Sequence, residues 1–372
     1  MKTQIVFEYK RIIRSKIMWI VLCGLVILTT MPYFSLPGSD KGALLSEYRI
    51  EQATAQQGYD SLKNIPKAKN TMNVMKRISN NAENVVSALQ QNKQYEKKAL
   101  NYWGFVQTAT KSGQLQGDEP ITIQMKIDRL SWSVKHKERV TIPNKQMPAV
   151  AYLVYVLWEN IPTIVWLMAF ILIIINLYIP ENGEIGRKLI NQIPLAKWKK
   201  ILSKSITSIT VYMTMVVTSF IPILTFLMIK NGSGNLNQRL VSTVNGQNII
   251  NQSSMDYLGH LMLLTLLLMI MLLFFQLIIV HFVKQSLTQV GIIIGVLVAS
   301  QNTSIFSKGI ISSWLPMNYL DLNRIIIGKS EISHLFVNNG GVSTEKLTTI
   351  LVTWTVLLII VGTIMSYKRK TL

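Results

Sequence analysis

A charged segment separates two of the most apolar runs of the chain. It covers residues 179–204, with the sequence IPENGEIGRKLINQIPLAKWKKILSK, and holds the two carboxylates Glu181 and Glu184, six lysines or arginines and two prolines. Acids and bases at this density are compatible with acid–base catalysis, with a phosphate-binding loop, or with a turn of the chain at a membrane surface. Motifs elsewhere in the sequence help to distinguish these three functions.

The sequence has no motif that would make this segment catalytic. It lacks the phosphate loop GxxxxGK[ST] and the motifs HExxH and GxSxG. Its single cysteine, Cys23, excludes an intramolecular disulfide and a CxxC metal or redox motif. His260 and His281 lie near opposite ends of one apolar run, where a proton or ligand role competes with that of an interfacial polar residue. We therefore expect no catalytic residue, no metal site and no cofactor bound by this chain.

The composition indicates a membrane protein. Of the 372 residues 49% are hydrophobic and only 15% are charged, whereas soluble domains carry about 25% charged residues. The net charge of +20 would suggest nucleic acid in a soluble protein. Here, however, lysines and arginines cluster beside apolar runs, as the positive-inside rule leads one to expect. The expected partner is therefore a lipid bilayer and not nucleic acid.

Six segments are apolar enough to be candidate spans, for which about 18 or more apolar residues are needed. The predicted fold is an all-α membrane protein with six transmembrane helices and a helical extracytoplasmic domain between spans one and two. The predicted segments are a cytoplasmic amphipathic segment (1–16), span one (17–36), the extracytoplasmic domain (37–149), span two with an interfacial entry (150–180), a cytoplasmic loop (181–205), spans three to five (206–229, 258–283, 287–304), a semi-apolar outer segment (305–345) and span six (347–367).

Basic residues predict the orientation of these spans. The short segments on the side of the termini carry fifteen lysines and arginines, and those on the opposite side carry six. Both termini are therefore expected in the cytoplasm. The Ile-, Asn- and Lys-rich composition is typical of bacteria with a low genomic GC content, so we expect a multi-pass protein of a bacterial cell membrane.

Apolar residues in the outer domain recur at helical spacing, which predicts two helices joined by the proline-containing turn KNIPKAKN. The first stripe is Leu45, Tyr48, Gln52, Ala55, Tyr59 and Leu62, and the second is Met75, Ile78, Ala82, Val85 and Leu89. Residues 121–135 fit either a strand or a helix, and Pro120 and the flanking charges favour a helix. This domain either shapes an outer gate or captures a substrate or partner, or it acts as a structural cap that holds the outer ends of the spans together.

Two further segments have alternative interpretations. Glu159, Asn160 and Pro162 lie where the interfacial entry of span two meets its helix, and Asn160 can cap that helix. Glu159 is either a functional carboxylate or a surface residue placed favourably at the helix N-terminus. The first 16 residues form either an amphipathic helix in the cytoplasmic interface or a basic flank that only fixes the topology.

The loop between spans two and three resembles the coupling loop of the ABC type-2 permease family, in which an acidic residue and a glycine precede a short helix, a proline and basic residues. The matching positions are Glu181 or Glu184, Gly186, Leu189, Pro194, Lys197 and Lys204. The sequence PLAK departs from the family pattern P-I-S-R, with Lys197 in place of arginine. The order of the segments along the whole chain also resembles that family, including the variant with a large domain after span one.

This resemblance implies the permease subunit of an ATP-driven exporter. The expected partners are a second permease, identical or related, and a cytoplasmic ABC ATPase that binds ATP and Mg²⁺. The implied coupling residues are Glu181, Glu184, Gly186, Arg187, Leu189, Pro194 and Lys197. We expect an amphipathic substrate, such as an antimicrobial peptide or a lipid-like compound. The spans contain few ionisable residues, which disfavours a dedicated ion or proton relay.

Two other functions remain open from the sequence. One is a membrane-anchored sensor or accessory protein that binds a ligand through its outer helical domain. The other is an integral-membrane enzyme, which the missing catalytic motifs disfavour. A neighbouring ATPase gene would favour the permease over the sensor.

Overall fold

The computed structural model describes residues 2–65, 68–91, 93–115, 119–137, 142–182, 196–244, 248–283, 285–299, 314–320, 322–327 and 344–368. The helices are α1 (Lys2–Ile13), α2 (Lys16–Ser35), α3 (Asp40–Leu62), α4 (Lys69–Gln90), α5 (Glu96–Lys111), α6 (Pro120–His136), α7 (Ala149–Tyr155), α8 (Thr163–Asn182), α9 (Lys197–Asn231), α10 (Ser254–Phe282), α11 (Ser286–Ala299), α12 (Leu322–Ile327) and α13 (Thr344–Lys368). A π-helical turn (Val156–Asn160), a 3₁₀ turn (Pro316–Tyr319) and the strands β1 (Arg239–Val244) and β2 (Asn248–Ser253) complete the described elements.

Four of these helices, α2, α9, α10 and α13, are long and apolar enough to cross a membrane. They coincide with predicted spans one, three, four and six, so a helical protein with several candidate spans is confirmed. Predicted span five corresponds to α11, of which the structure describes 14 residues. Residues 300–304 of that predicted span lie outside the described part of the chain.

The second predicted span is interrupted near its start. The α7 and π-helical segment meets α8 at a break, and the two pieces are bent by 90° relative to each other. The amide of Ile161 donates to the carbonyl of Val156, 3.1 Å away, which closes the π-helical turn, and Pro162 follows immediately. Proline cannot donate a backbone hydrogen bond, and α8 begins after it. Asn160, predicted to cap α8, instead ends the preceding π-helical turn.

Side-chain contacts fix the relative direction of the apolar helices. The hydroxyl of Thr29 in α2 donates to the carbonyl of Ser219 in α9 at 2.9 Å. Near the carboxyl ends of the same two helices, Lys230 Nζ donates to the hydroxyl of Tyr33 at 3.2 Å. The helices α2 and α9 therefore run in the same direction, as the alternation of spans one and three predicts.

The described residues form two separate hydrophobic cores. One lies among the apolar helices, and the other is formed by α3–α6. Helices α3 and α4 pack against each other as the predicted hairpin, and Ile78, Ala82, Val85 and Leu89 of the predicted stripe are buried. Residues 120–136 form a helix rather than a strand. In this core the Trp103 indole donates to the Tyr48 hydroxyl at 3.1 Å.

A β-hairpin between α9 and α10 is the departure from an all-α fold. Strands β1 and β2 pair antiparallel, with Arg239 opposite Ser253 and Val244 opposite Asn248. The hairpin was not predicted, although Asn245-Gly246 between two β-branched runs is a strong sequence signal for a tight hairpin turn. Ser253 then caps α10, because its hydroxyl accepts from the Asp256 amide at 3.0 Å.

Candidate functional site at the helix ends that bound the charged loop

The predicted coupling residues lie at and between the ends of α8 and α9. Glu181 is in the last turn of α8, which ends at Asn182, and Lys197 is the first residue of α9. The predicted loop 181–205 is therefore shorter, because α9 includes its last nine residues. The remaining coupling residues, which lie outside the described part of the chain, are Glu184, Gly186, Arg187, Leu189 and Pro194.

The amino-terminal helix α1 contacts both helices that bound this loop. Arg11 Nη2 donates a 2.7 Å hydrogen bond to the carbonyl of Leu177, five residues before the end of α8. The same guanidinium lies 2.8 Å from Oε2 of Glu8, whose side chain is 1% exposed. Oε2 of Glu8 has no hydrogen-bond partner among the described residues, so this second contact is an ion pair. The Arg11 side chain is therefore partly turned towards the protein.

A second contact joins the turn after α1 to α8. The side-chain amide of Asn176 donates to the hydroxyl of Ser15 at 2.9 Å, and Ser15 lies between α1 and α2. The other oxygen of Glu8, Oε1, accepts from the Gln4 amide at 3.0 Å. Together with the Arg11 bond, these contacts tie the end of α8 to the start of α2.

The first turns of α9 are buried despite their polar sequence. Ser203, Lys204 and Ser208 are at most 3% exposed. Ser208 donates to the carbonyl of Lys204 at 3.0 Å, which satisfies its hydroxyl within the helix. Trp198, by contrast, is half exposed, and the Lys199 ammonium lies 5.4 Å from the centre of its ring. An exposed tryptophan beside lysines is typical of a residue at the membrane interface.

These contacts make α1 and the adjoining ends of α2, α8 and α9 one packed unit. Sequence patterns identified the loop but not the contacts of Arg11 and Ser15. Their partners are more than 150 residues away along the chain, and no local signal specifies such a pairing.

The other residues considered from the sequence are not brought together with this site. His260 Nδ1 lies 2.8 Å from the carbonyl of Asp256 within α10, and His281 contacts the ring of Phe282 next to it. Glu159 lies in the π-helical turn. Among the described residues no group of three or more histidines, cysteines or carboxylates could hold a metal ion.

Comparison with known proteins adds no identification. No protein-family model matches the sequence, and neither a curated protein nor a solved structure is significantly similar to it.

Proposed function

We propose that this chain is the permease subunit of an ATP-driven ABC exporter that moves an amphipathic substrate out of a bacterial cell. The observation that supports the proposal best is the packing of α1 against both helices that bound the charged loop, through Arg11 and Ser15. A separate ATPase that binds the loop would move α8 and α9 as a unit. The four long apolar helices provide the membrane part.

The proposed steps need no catalytic group in this chain. ATP binding and hydrolysis take place in the partner subunit, where Mg²⁺ is held with the nucleotide. The coupling residues Glu181, Glu184 and Arg187 supply charges for contact with that subunit. Two permease chains, identical or related, would enclose the pathway, and both termini would lie in the cytoplasm.

The test is purification of the full-length chain from its own host with its associated subunits. We expect an ATPase with a nucleotide-binding loop, identified by mass spectrometry, in a fixed ratio to the permease. The double reversal Glu181→Lys/Glu184→Lys should reduce both the amount of retained ATPase and the ATP hydrolysis of the complex.

The matched control is Glu83→Lys, which reverses an exposed carboxylate on α4 in the predicted outer domain and should leave both quantities unchanged. Absence of an ATPase from the purified wild-type complex would contradict the permease proposal. Unchanged retention and hydrolysis in the double variant would contradict the assignment of the coupling loop.

A sensor or accessory function is the second candidate. The observation that favours it is an open cleft next to the helices α3–α6, described below. A sensor would bind its ligand there without an ATPase of its own, so the same purification distinguishes the two functions.

A further inference from the structure

An open cleft lies where the outer helices meet the β-hairpin and the π-helical turn. Its volume is about 70 Å³. About 10–15 Å³ of such space holds one water molecule, so the cleft has room for a group of roughly five non-hydrogen atoms, the size of a phosphate. Its polar and aromatic wall includes Arg129, Tyr155, Trp158, Glu159 and Arg239.

The charges of the cleft come from three different elements. Arg129 is half-buried on α6, Arg239 is exposed at the start of β1, and Glu159 is half-buried in the π-helical turn. Among the described lining residues, two guanidinium groups outnumber one carboxylate. Guanidinium presents a planar fork of donors that matches the oxygens of a carboxylate or phosphate. The cleft therefore favours an anionic group.

The rest of the cleft is apolar and aromatic. Tyr155 and Trp158 form one side, and Leu240 and Val241 of β1 form another. The Trp158 ring also packs against the ring of Tyr257, with centroids 6.4 Å apart. An anion bound in the cleft would thus place any attached hydrocarbon against aromatic and aliphatic side chains.

Backbone contacts hold the walls in place without a ligand. The amide and the hydroxyl of Ser254 both donate to the carbonyl of Gln238, at 2.9 Å and 3.1 Å. The amide of Ala149 donates to the carbonyl of Gly232 at 3.1 Å, which attaches α7 to the segment before the hairpin. Binding sites for small molecules are usually formed in advance in this way.

The break before α8 is stabilised as well. The Asn323 side chain, 2% exposed, donates to the carbonyl of Ile161 at 3.3 Å and accepts from the Tyr257 hydroxyl at 3.3 Å. The π-helical turn that carries Trp158 and Glu159 is therefore fixed at its end. Isolated π-helical turns occur frequently at functional sites.

We propose that this cleft binds the phosphate or carboxylate group of an amphipathic molecule. Arg129 and Arg239 contact the anionic group, and Trp158 and Tyr155 contact the start of the apolar part. Glu159 accepts a hydrogen bond from an ammonium or hydroxyl group beside the anion, if the ligand carries one. The two sources of this chemistry are a phospholipid headgroup and a free amphipathic anion. The proposal does not depend on export, since it concerns binding to this chain alone.

The test uses the full-length protein in phosphatidylcholine nanodiscs with decyl phosphate as the probe and the neutral decyl glucoside as its control. Binding is followed by tryptophan fluorescence, with empty nanodiscs subtracted. We expect a saturable change with decyl phosphate that the neutral probe does not produce. Trp158→Phe should remove most of this change, because the Trp158 ring lies in the cleft.

The double variant Arg129→Gln/Arg239→Gln should raise the Kd of decyl phosphate by about tenfold or more, since it removes charge-assisted hydrogen bonds. Arg49→Gln removes one exposed arginine of α3 away from the cleft and should leave the Kd within about twofold of the wild-type value. Glu159→Gln removes a negative charge from the cleft and should lower the Kd. The single variant Arg239→Gln, at an exposed position, serves if the double variant does not fold. Equal Kd values for wild type and either arginine variant would overturn the proposal, as would a saturable response to decyl glucoside.

A second series in nanodiscs that contain phosphatidylglycerol distinguishes the two sources. If the wild-type Kd for decyl phosphate rises there and that of Arg129→Gln/Arg239→Gln does not, lipid headgroups compete for the cleft. If the wild-type Kd is unchanged, the ligand is a free amphipathic anion. Either result supports the site only when the arginine variants have already lost affinity.

Discussion

Replacement of Arg11 by methionine should destabilise the protein by about 2–3 kcal/mol. The substitution removes a charge-assisted hydrogen bond to the carbonyl of Leu177, and such bonds contribute about 1.5–3 kcal/mol. It also leaves the Glu8 carboxylate, only 1% exposed, without its cation. Loss of one partner from a fully buried pair costs about 3–5 kcal/mol, but the Arg11 side chain is 25% exposed, so solvent screens part of that loss.

The assay is a double-mutant cycle measured by unfolding in mixed micelles of increasing dodecyl sulfate content, followed by far-UV circular dichroism. Glu8→Leu/Arg11→Met should be more stable than Arg11→Met alone, because it leaves no unpaired buried charge. Arg14→Met, at an exposed position in the turn directly after α1, is the control and should change stability by less than about 0.5 kcal/mol. The reasoning is wrong if Arg11→Met behaves like Arg14→Met, or if the double variant loses the full sum of the two single variants.

Three other predictions concern the glycine beside the cleft, the turn between α10 and α11, and the topology. Gly234 has a φ of +82°, and an added Cβ would lie 2.8 Å from Cβ of Pro148, so Gly234→Ala should destabilise the protein by at least about 1 kcal/mol. The control Gly104→Ala, in a helix with open space around the position, should stabilise the protein by about 0.5–1 kcal/mol in the same unfolding assay. A stability change of the same sign in both variants would contradict this prediction. Gln276→Leu removes the donor of the buried 2.7 Å hydrogen bond to Gln289 and should lower the free energy of unfolding by about 1 kcal/mol. An unchanged free energy of unfolding would contradict this prediction. The topology is tested in a Cys23→Ser background with a membrane-impermeant maleimide. Gln57→Cys on α3 should react on whole cells, whereas Lys10→Cys on α1 should react only after permeabilisation. The reverse pattern would overturn the predicted orientation.

Apolar length and period were sufficient to predict most helices from the sequence. Runs of about 20 apolar residues favour a helix wherever they are buried or placed in lipid, because only a helix satisfies its own backbone. The stripe from Ile78 to Leu89 likewise predicted the buried face of α4, since helical spacing alone determines which residues share a face. The 90° angle between the interfacial entry and α8 was not predicted, because hydropathy measures composition and not the direction in which successive helices run.

The candidate sites were only partly visible in the sequence. Local charges and prolines marked the loop between α8 and α9, and local spacing suggested a short helix for α1. Tertiary packing alone paired Arg11 with Leu177 and brought Arg129, Glu159 and Arg239 to one cleft. These partners are separated by tens of residues or more, and their pairing depends on the directions in which whole helices pack. Sequence therefore determined the elements and their apolar faces, whereas the fold decided which polar groups meet, because such contacts have no period along the chain.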